Sequence, residues 1–175
     1  MYFLITKNRW ALFVAVIAPV LAMMILSDYV LTNNVWFASL SMIEFAVFLL
    51  WQYQLLCFLS QHLLSGSSIP LAKIKINLGI TFSYCVIISI ALILNLDFGS
   101  LHPLWLLVLI IVHLYCMYAI ANTLYHLSKM IISVERQKQS EIQDSALTFV
   151  SLFFFPFTVL LLQKRIHSIV QKYRQ

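Results

Sequence analysis

Polar positions divide the chain into long apolar runs. Four of them reach or approach the roughly 20 residues that an α-helix needs to cross a hydrocarbon layer about 30 Å thick. They cover residues 10–31, 35–59, 78–96 and 104–127. Because a run of this length has no polar face to turn towards water, the pattern predicts an all-α integral membrane protein with four transmembrane helices. The length of 175 residues fits one membrane domain over residues 1–175.

A fifth apolar run, 146–162, contains Pro156 and is followed by Lys164 and Arg165. As a straight helix its 17 residues would measure about 25 Å, which is short for a hydrocarbon core. Proline also removes one helical hydrogen bond and ends or kinks a helix. We therefore expect a Pro-broken segment over 141–174 that re-enters or skims the inner leaflet. A fifth crossing is the alternative interpretation.

The end of this segment has the spacing of an amphipathic helix with a basic face. Its apolar positions are Leu162, Ile166, Ile169 and Tyr173. Its basic positions are Lys164, Arg165, Lys172 and Arg174. Such a helix is suited to a membrane surface, so we expect these cations to contact anionic lipid headgroups. A helix that binds a soluble partner is the competing interpretation.

Composition excludes a soluble protein. Hydrophobic residues make up 62% and charged residues 10% of the chain, against about 45–50% and about 25% in soluble domains. The net charge of +5 does not indicate nucleic-acid binding, because the cations lie in small groups at the ends of apolar runs. The expected partners are the lipid bilayer, anionic lipids at its cytoplasmic face and other membrane proteins, with no nucleic acid.

The cations also predict orientation. They cluster before the first run, between the second and third, and after the fourth, whereas the connections 32–34 and 97–103 contain no Lys or Arg. Positively charged connections stay in the cytoplasm. A re-entrant 141–174 segment would keep all eleven cations on that side, whereas a fifth crossing would place four outside. We therefore expect an inner-membrane protein with both termini in the cytoplasm.

Ionisable side chains within the apolar runs are the candidate functional groups, because a charge is costly in hydrocarbon. Glu44 and His113 each lie about ten residues into an inward-running span, which predicts a polar pair at similar depth. Such a pair could share a proton, or it could hold two helices together. Secondary candidates are Gln52, Asn122 and His126. Proline 19 should kink the first span.

Enzyme signatures are missing from the sequence. No nucleophile elbow, zinc-protease motif or phosphate-binding loop occurs. The three cysteines lie in apolar runs without metal-ligand spacing. We therefore expect neither a catalytic residue nor a metal or other cofactor.

The C-terminal third carries two short motifs. The first is the S-V-E-x-Q segment formed by Ser133, Val134, Glu135 and Gln137. The second is formed by Phe154, Phe155, Pro156, Gln163, Arg165 and Ile166. Over about the last 60 residues the chain resembles a group of uncharacterised small bacterial four-span inner-membrane proteins. The resemblance implies a bacterial origin and four spans, and it carries no catalytic residue.

Function is the least determined property. The pattern favours a non-enzymatic accessory or interaction component of the membrane. The alternative is a small transporter or proton-linked carrier that uses Glu44 and His113.

Overall fold

The computed structural model describes residues 9–25, 34–63, 69–96, 102–137 and 142–173. All regular secondary structure in these ranges is α-helical, which confirms the all-α class. The helices are α1 (Arg9–Ile25), α2 (Asn34–Gln61), α3 (Leu71–Ile93), α4 (Pro103–Arg136), α5 (Ile142–Phe153) and α6 (Phe155–Lys172). Three of them, α2, α3 and α4, are long and apolar enough to cross a membrane.

The first predicted span is described only in part. Helix α1 has 17 residues and contains Pro19, which is buried. The remainder of the predicted span, residues 26–31, lies outside the described residues. The described helix is therefore shorter than the 10–31 span that hydropathy predicts, and the kink at Pro19 stays a prediction.

Two helices extend beyond the predicted spans. Helix α3 begins at Leu71, after Pro70 at its N-cap, whereas the predicted span began at residue 78. Helix α4 continues to Arg136, whereas the predicted span ended at residue 127. Hydropathy locates the part of a helix that suits lipid, and lysine-containing turns can continue a helix beyond that part. At about 51 Å, the 34 residues of α4 are longer than the bilayer core is thick.

Specific caps end these long helices. After α3, Asn95 adopts a left-handed conformation with φ of 51°. The Leu96 N–H then donates to the Ala91 carbonyl and the Asn95 N–H to the Leu92 carbonyl, which is the Schellman arrangement. At the start of α4, the Leu104 N–H donates to Nδ1 of His102. Helix α4 ends at Gln137, also left-handed at φ 56°.

Helices α5 and α6 form a helical hairpin that turns at Phe154, two residues before Pro156. At the turn, the Thr158 hydroxyl lies within hydrogen-bonding distance of the Ser151 carbonyl and 3.0 Å from the Phe154 carbonyl. Since proline has no N–H to continue the helical ladder, this hydroxyl joins the two helices across the break.

The hairpin packs against the rest of the bundle. Helix α5 packs on α4, and α6 packs on α1 and α4. The Phe155 ring centroid lies 4.4 Å from that of Trp51, near the middle of α2. At the other end of α6, the rings of Tyr173 and His62 are 4.5 Å apart, and the Tyr173 hydroxyl donates to the Val134 carbonyl. Helix α6 therefore runs beside the second half of α2, in the same direction.

Most of the hydrophobic core lies towards the end of the bundle at which His62, Val134 and Tyr173 meet, which we call the basic end. Apart from Arg9 at the start of α1, the Lys and Arg residues of the described ranges are carried by the parts of α3, α4 and α6 near this end. They are Lys73, Lys75, Lys129, Arg136, Lys164, Arg165 and Lys172. The opposite half of α4 is exposed on most of its surface, including Leu104, Trp105 and Leu114.

The apolar face of α6 packs against protein, whereas the sequence pattern predicted that it would lie on the membrane surface. Leu162, Ile166 and Ile169 are at most 5% exposed, and they belong to the protein's own hydrophobic core. The face predicted to lie in a leaflet is therefore packed against other helices, because α5 turns the chain back onto the bundle. The opposite face keeps Lys164 and Lys172 exposed, and Arg174 lies outside the described residues.

Candidate functional site

Glu44 lies beside an apolar groove between four helices. The groove has a volume of about 200 Å³ and is partly open. Its lining residues are Val16 of α1, Glu44, Phe45 and Phe48 of α2, Phe153 of α5 and Phe155 of α6. Glu44 is half-buried, and it has no hydrogen-bond or ion-pair partner among the described residues. Its carboxylate is thus the one ionisable group of an otherwise apolar lining.

His113 lies on a different surface. Its Nδ1 atom is 3.0 Å from the hydroxyl oxygen of Tyr84, so a hydrogen bond joins α3 and α4. His113 is exposed, and the side chains around it on α4 are apolar and exposed, including Ile110, Val112 and Leu114. The Tyr84–His113 pair is therefore a polar group on an apolar surface.

Glu44 and His113 each lie ten residues after the first residue of their helix, which is about 15 Å along the helix axis. However, Glu44 faces the groove beside α1 and the hairpin, whereas His113 pairs with Tyr84 of α3. His113 is not one of the residues that line the groove. The structure therefore gives each group a separate environment.

The secondary candidates are buried or half-buried polar side chains of α2 and α4. Gln52 is completely buried, and neither its amide oxygen nor its amide nitrogen has a partner among the described residues. The same holds for Nδ2 of Asn122 and Nδ1 of His126, both half-buried. Asn77 of α3 accepts a hydrogen bond from Tyr115 at 3.0 Å, although its Nδ2 is unpartnered within the described part of the chain. Such groups are costly in an apolar interior.

Besides the Tyr173 hydroxyl, two polar side-chain contacts fix the hairpin to the bundle. The indole N–H of Trp51 donates to Oε1 of Gln163 over 3.2 Å, and both side chains are buried. Near the basic end, Nε of Arg165 lies 3.1 Å from each carboxylate oxygen of Glu135, and Nη2 pairs with Oε2. The Nη1 atom of Arg165 donates to the Thr148 hydroxyl at 2.8 Å. We call Glu135, Thr148 and Arg165 the arginine clamp.

The predicted headgroup-binding cations thus differ from one another. Arg165 is bound within the protein by the arginine clamp and is 31% exposed. Lys164 and Lys172 are exposed, and the Lys172 ammonium lies 5.8 Å from the centre of the Tyr173 ring. Among the cations of the described part of α6, the two lysines are therefore exposed and Arg165 is not.

The described residues contain no group of three or more His, Cys, Asp or Glu side chains that could hold a metal ion. Cys57, Cys85 and Cys116 are free thiols.

Sequence reasoning missed Tyr84, Asn77 and the Trp51–Gln163 pair. The sequence did contain one indication of the Trp51–Gln163 pair. Gln163 follows Val159 by four residues and precedes Ile166 by three, so it lies on the apolar face of α6. A polar residue on that apolar face calls for a buried partner. The tyrosines carried no such signal, because their rings suit an apolar surface in any case.

No protein-family model, curated protein or solved structure matches this chain.

Proposed function

We propose that this is a multi-pass protein of the bacterial inner membrane with four spans, in which the α5–α6 hairpin is re-entrant and both termini are cytoplasmic. The resemblance of its C-terminal third to small bacterial four-span proteins supports the bacterial origin. Helix α1 would complete the four spans with α2, α3 and α4. The cations of α3, α4 and α6, which lie in the parts of these helices near the basic end, support placing that end in the cytoplasm.

The contacts of the hairpin support re-entry. Its turn meets Trp51, which lies ten residues, or about 15 Å, from the end of α2. Both of its helices start or finish near the basic end, where Tyr173 meets His62 and Arg165 meets Glu135. The hairpin would therefore reach about the middle of a 30 Å hydrocarbon core and return to the same side.

In this membrane the protein acts without catalysis, as an accessory component that binds other membrane proteins through the exposed surface of α3 and α4. The observation that carries this proposal is the exposed Tyr84–His113 pair in an apolar surface. Hydrocarbon offers no hydrogen-bond partner to the second imidazole nitrogen, whereas a neighbouring transmembrane helix can supply one. Exposed lysines at the basic end would add contacts with anionic headgroups.

Photo-crosslinking in intact cells tests this proposal. A photoreactive amino acid at Ile110, which is 47% exposed and lies three residues before His113 on the same face of α4, should yield a discrete protein adduct. The substitution His113→Leu should reduce the yield of that adduct by about fivefold, since it removes a hydrogen bond worth about 1 kcal/mol. The same photoreactive residue at Leu147 of α5, 78% exposed, serves as the matched control and should give no such adduct. Adducts with lipid alone at Ile110, or an adduct yield that His113→Leu does not change, would contradict the proposed role.

A second candidate function is a small carrier, and the Glu44 groove is the observation that favours it. A carrier that passes a proton directly between Glu44 and His113 is not favoured by this arrangement, because the two side chains face different surfaces. A carrier would have to use Glu44 without direct help from His113.

A further inference from the structure

The Glu44 groove combines one carboxylate with an aromatic lining. Phe45, Phe48, Phe153 and Phe155 supply four of its six lining residues. Phe48 and Phe155 form the packed wall, with ring centroids 5.0 Å apart. Phe45 and Phe153 are 40% and 55% exposed, so they flank the opening. Three separate helices, α2, α5 and α6, bring these rings together around Glu44.

This combination is suited to an organic cation. The carboxylate has no cationic partner among the described residues, so its negative charge is not neutralised within that part of the chain. Phenylalanine faces attract cations that lack hydrogen-bond donors, because the ring quadrupole is negative above the ring. A strongly hydrated metal ion would instead require several oxygen ligands, and Glu44 is the only charged or polar residue of the lining.

The size of the groove restricts the ligand further. Pockets for whole drug-sized molecules have volumes of about 300–1,000 Å³, and this groove has about 200 Å³. It can therefore enclose a compact head group but not a large ring system. The partly open side leaves a path along which an alkyl chain can extend towards lipid.

We propose that the Glu44 groove binds the head group of a lipophilic monocation, such as an alkyl quaternary ammonium ion, with the alkyl chain directed into the bilayer. The site is separate from the Tyr84–His113 surface and names a substrate class for the carrier alternative. It rests on the proposed function only in requiring that the groove open towards hydrocarbon.

Equilibrium binding to the full-length protein in phosphatidylcholine nanodiscs tests this site. The probe is dodecyltrimethylammonium below its micellar concentration, with binding to protein-free discs subtracted. The comparison compound is its neutral isostere, the hydrocarbon in which a carbon atom replaces the ammonium nitrogen. Its binding gives the contribution of shape and apolar burial alone. We expect the protein to prefer the cation by at least about tenfold, since an ion pair in a low-dielectric groove can exceed that factor.

Three variants separate the contribution of the Glu44 charge from that of the Phe45 ring and provide a control. Glu44→Gln keeps the side-chain shape and should bring the cation and the isostere to within about twofold of each other. Phe45→Leu keeps the charge and should weaken cation binding about threefold, because one ring that attracts the cation is lost. The matched control His113→Gln removes the second ionisable side chain of the predicted pair and should leave the preference unchanged, because His113 does not line the groove.

An equal affinity for the isostere would overturn the proposal, and so would a cation preference that survives Glu44→Gln. Size-exclusion profiles of all variants must match that of the parent protein, and Glu44→Asp provides a charged variant if Glu44→Gln does not fold. These results are independent of the photo-crosslinking at Ile110. Failure of the groove therefore leaves the interaction role in place, and failure of that role leaves the groove.

Discussion

At the scale of single residues, the arginine clamp is a directional contact that joins α6 to α4 and α5. A guanidinium that donates to two carboxylate oxygens and one hydroxyl is more constrained than a simple surface ion pair. Glu135 and Arg165 are 36% and 31% exposed, so solvent screens part of the interaction. Its contribution should therefore be about 1 kcal/mol rather than several.

A double-mutant cycle with Glu135→Gln and Arg165→Gln measures this contribution. Each single substitution should lower the thermal midpoint in detergent, because it leaves the other charged group without its partner. The double variant should be no less stable than the worse single variant, so that the coupling free energy is at least as large as the smaller of the two single losses, about 1 kcal/mol. Additive losses would mean that the two side chains stabilise the protein independently.

At the scale of helices, the turn between α5 and α6 depends on one hydroxyl. Thr158 is the side chain that donates to the backbone carbonyls of Ser151 and Phe154 on the far side of the break. Thr158→Val preserves the branched shape and removes the donor, so it should cost about 1 kcal/mol of stability. Thr123→Val is the matched control, since the Thr123 hydroxyl donates to Ala119 within its own helix.

The measurement is the midpoint of thermal unfolding of each variant and of the parent protein in the same detergent. We expect Thr158→Val to lower the midpoint more than Thr123→Val, although Thr123 is fully buried. An equal or smaller effect at position 158 would show that packing of α6 on α1 and α2 holds the turn without this hydroxyl.

At the scale of the whole molecule, hydropathy predicted the helical class and the positions of α2, α3 and α4, because long apolar runs have few other solutions in lipid. It could not predict which faces pack together. The apolar face of α6 has the same spacing whether it meets lipid or protein, and only the hairpin turn decides between them. Likewise, Glu135 and Arg165 are 30 residues apart in sequence, so their pairing depends on how α5 returns along α4.

The contacts of the motif residues in the C-terminal third also could not be predicted from the sequence. Glu135, Phe155, Gln163 and Arg165 supported a resemblance as sequence letters, without a stated role. In the structure, Phe155 and Gln163 contact Trp51, and Arg165 binds Glu135. Each of these contacts fixes the hairpin to α2 or α4. A physical role for the motif residues therefore became visible only with the fold.

The last prediction concerns the side of the membrane on which the hairpin begins and ends. Cysteines introduced by Phe154→Cys and Lys172→Cys, in a chain whose three native cysteines are replaced, report the turn and the end of α6. A membrane-impermeant maleimide should label position 172 only in inverted vesicles. Position 154 should stay unlabelled on both sides until detergent is added, because the turn meets the middle of α2, about 15 Å from the basic end.

Trp105→Cys, at the exposed start of α4, is the matched control for the opposite side and should react only in right-side-out cells. If 141–174 crossed the bilayer instead, position 172 would react in those cells together with position 105. That result would contradict re-entry, because the contacts of Tyr173 with His62 and of Arg165 with Glu135 hold the end of α6 beside the ends of α2 and α4. A periplasmic position 172 would therefore require α6 to leave the bundle, or place the whole basic end outside against the distribution of its cations.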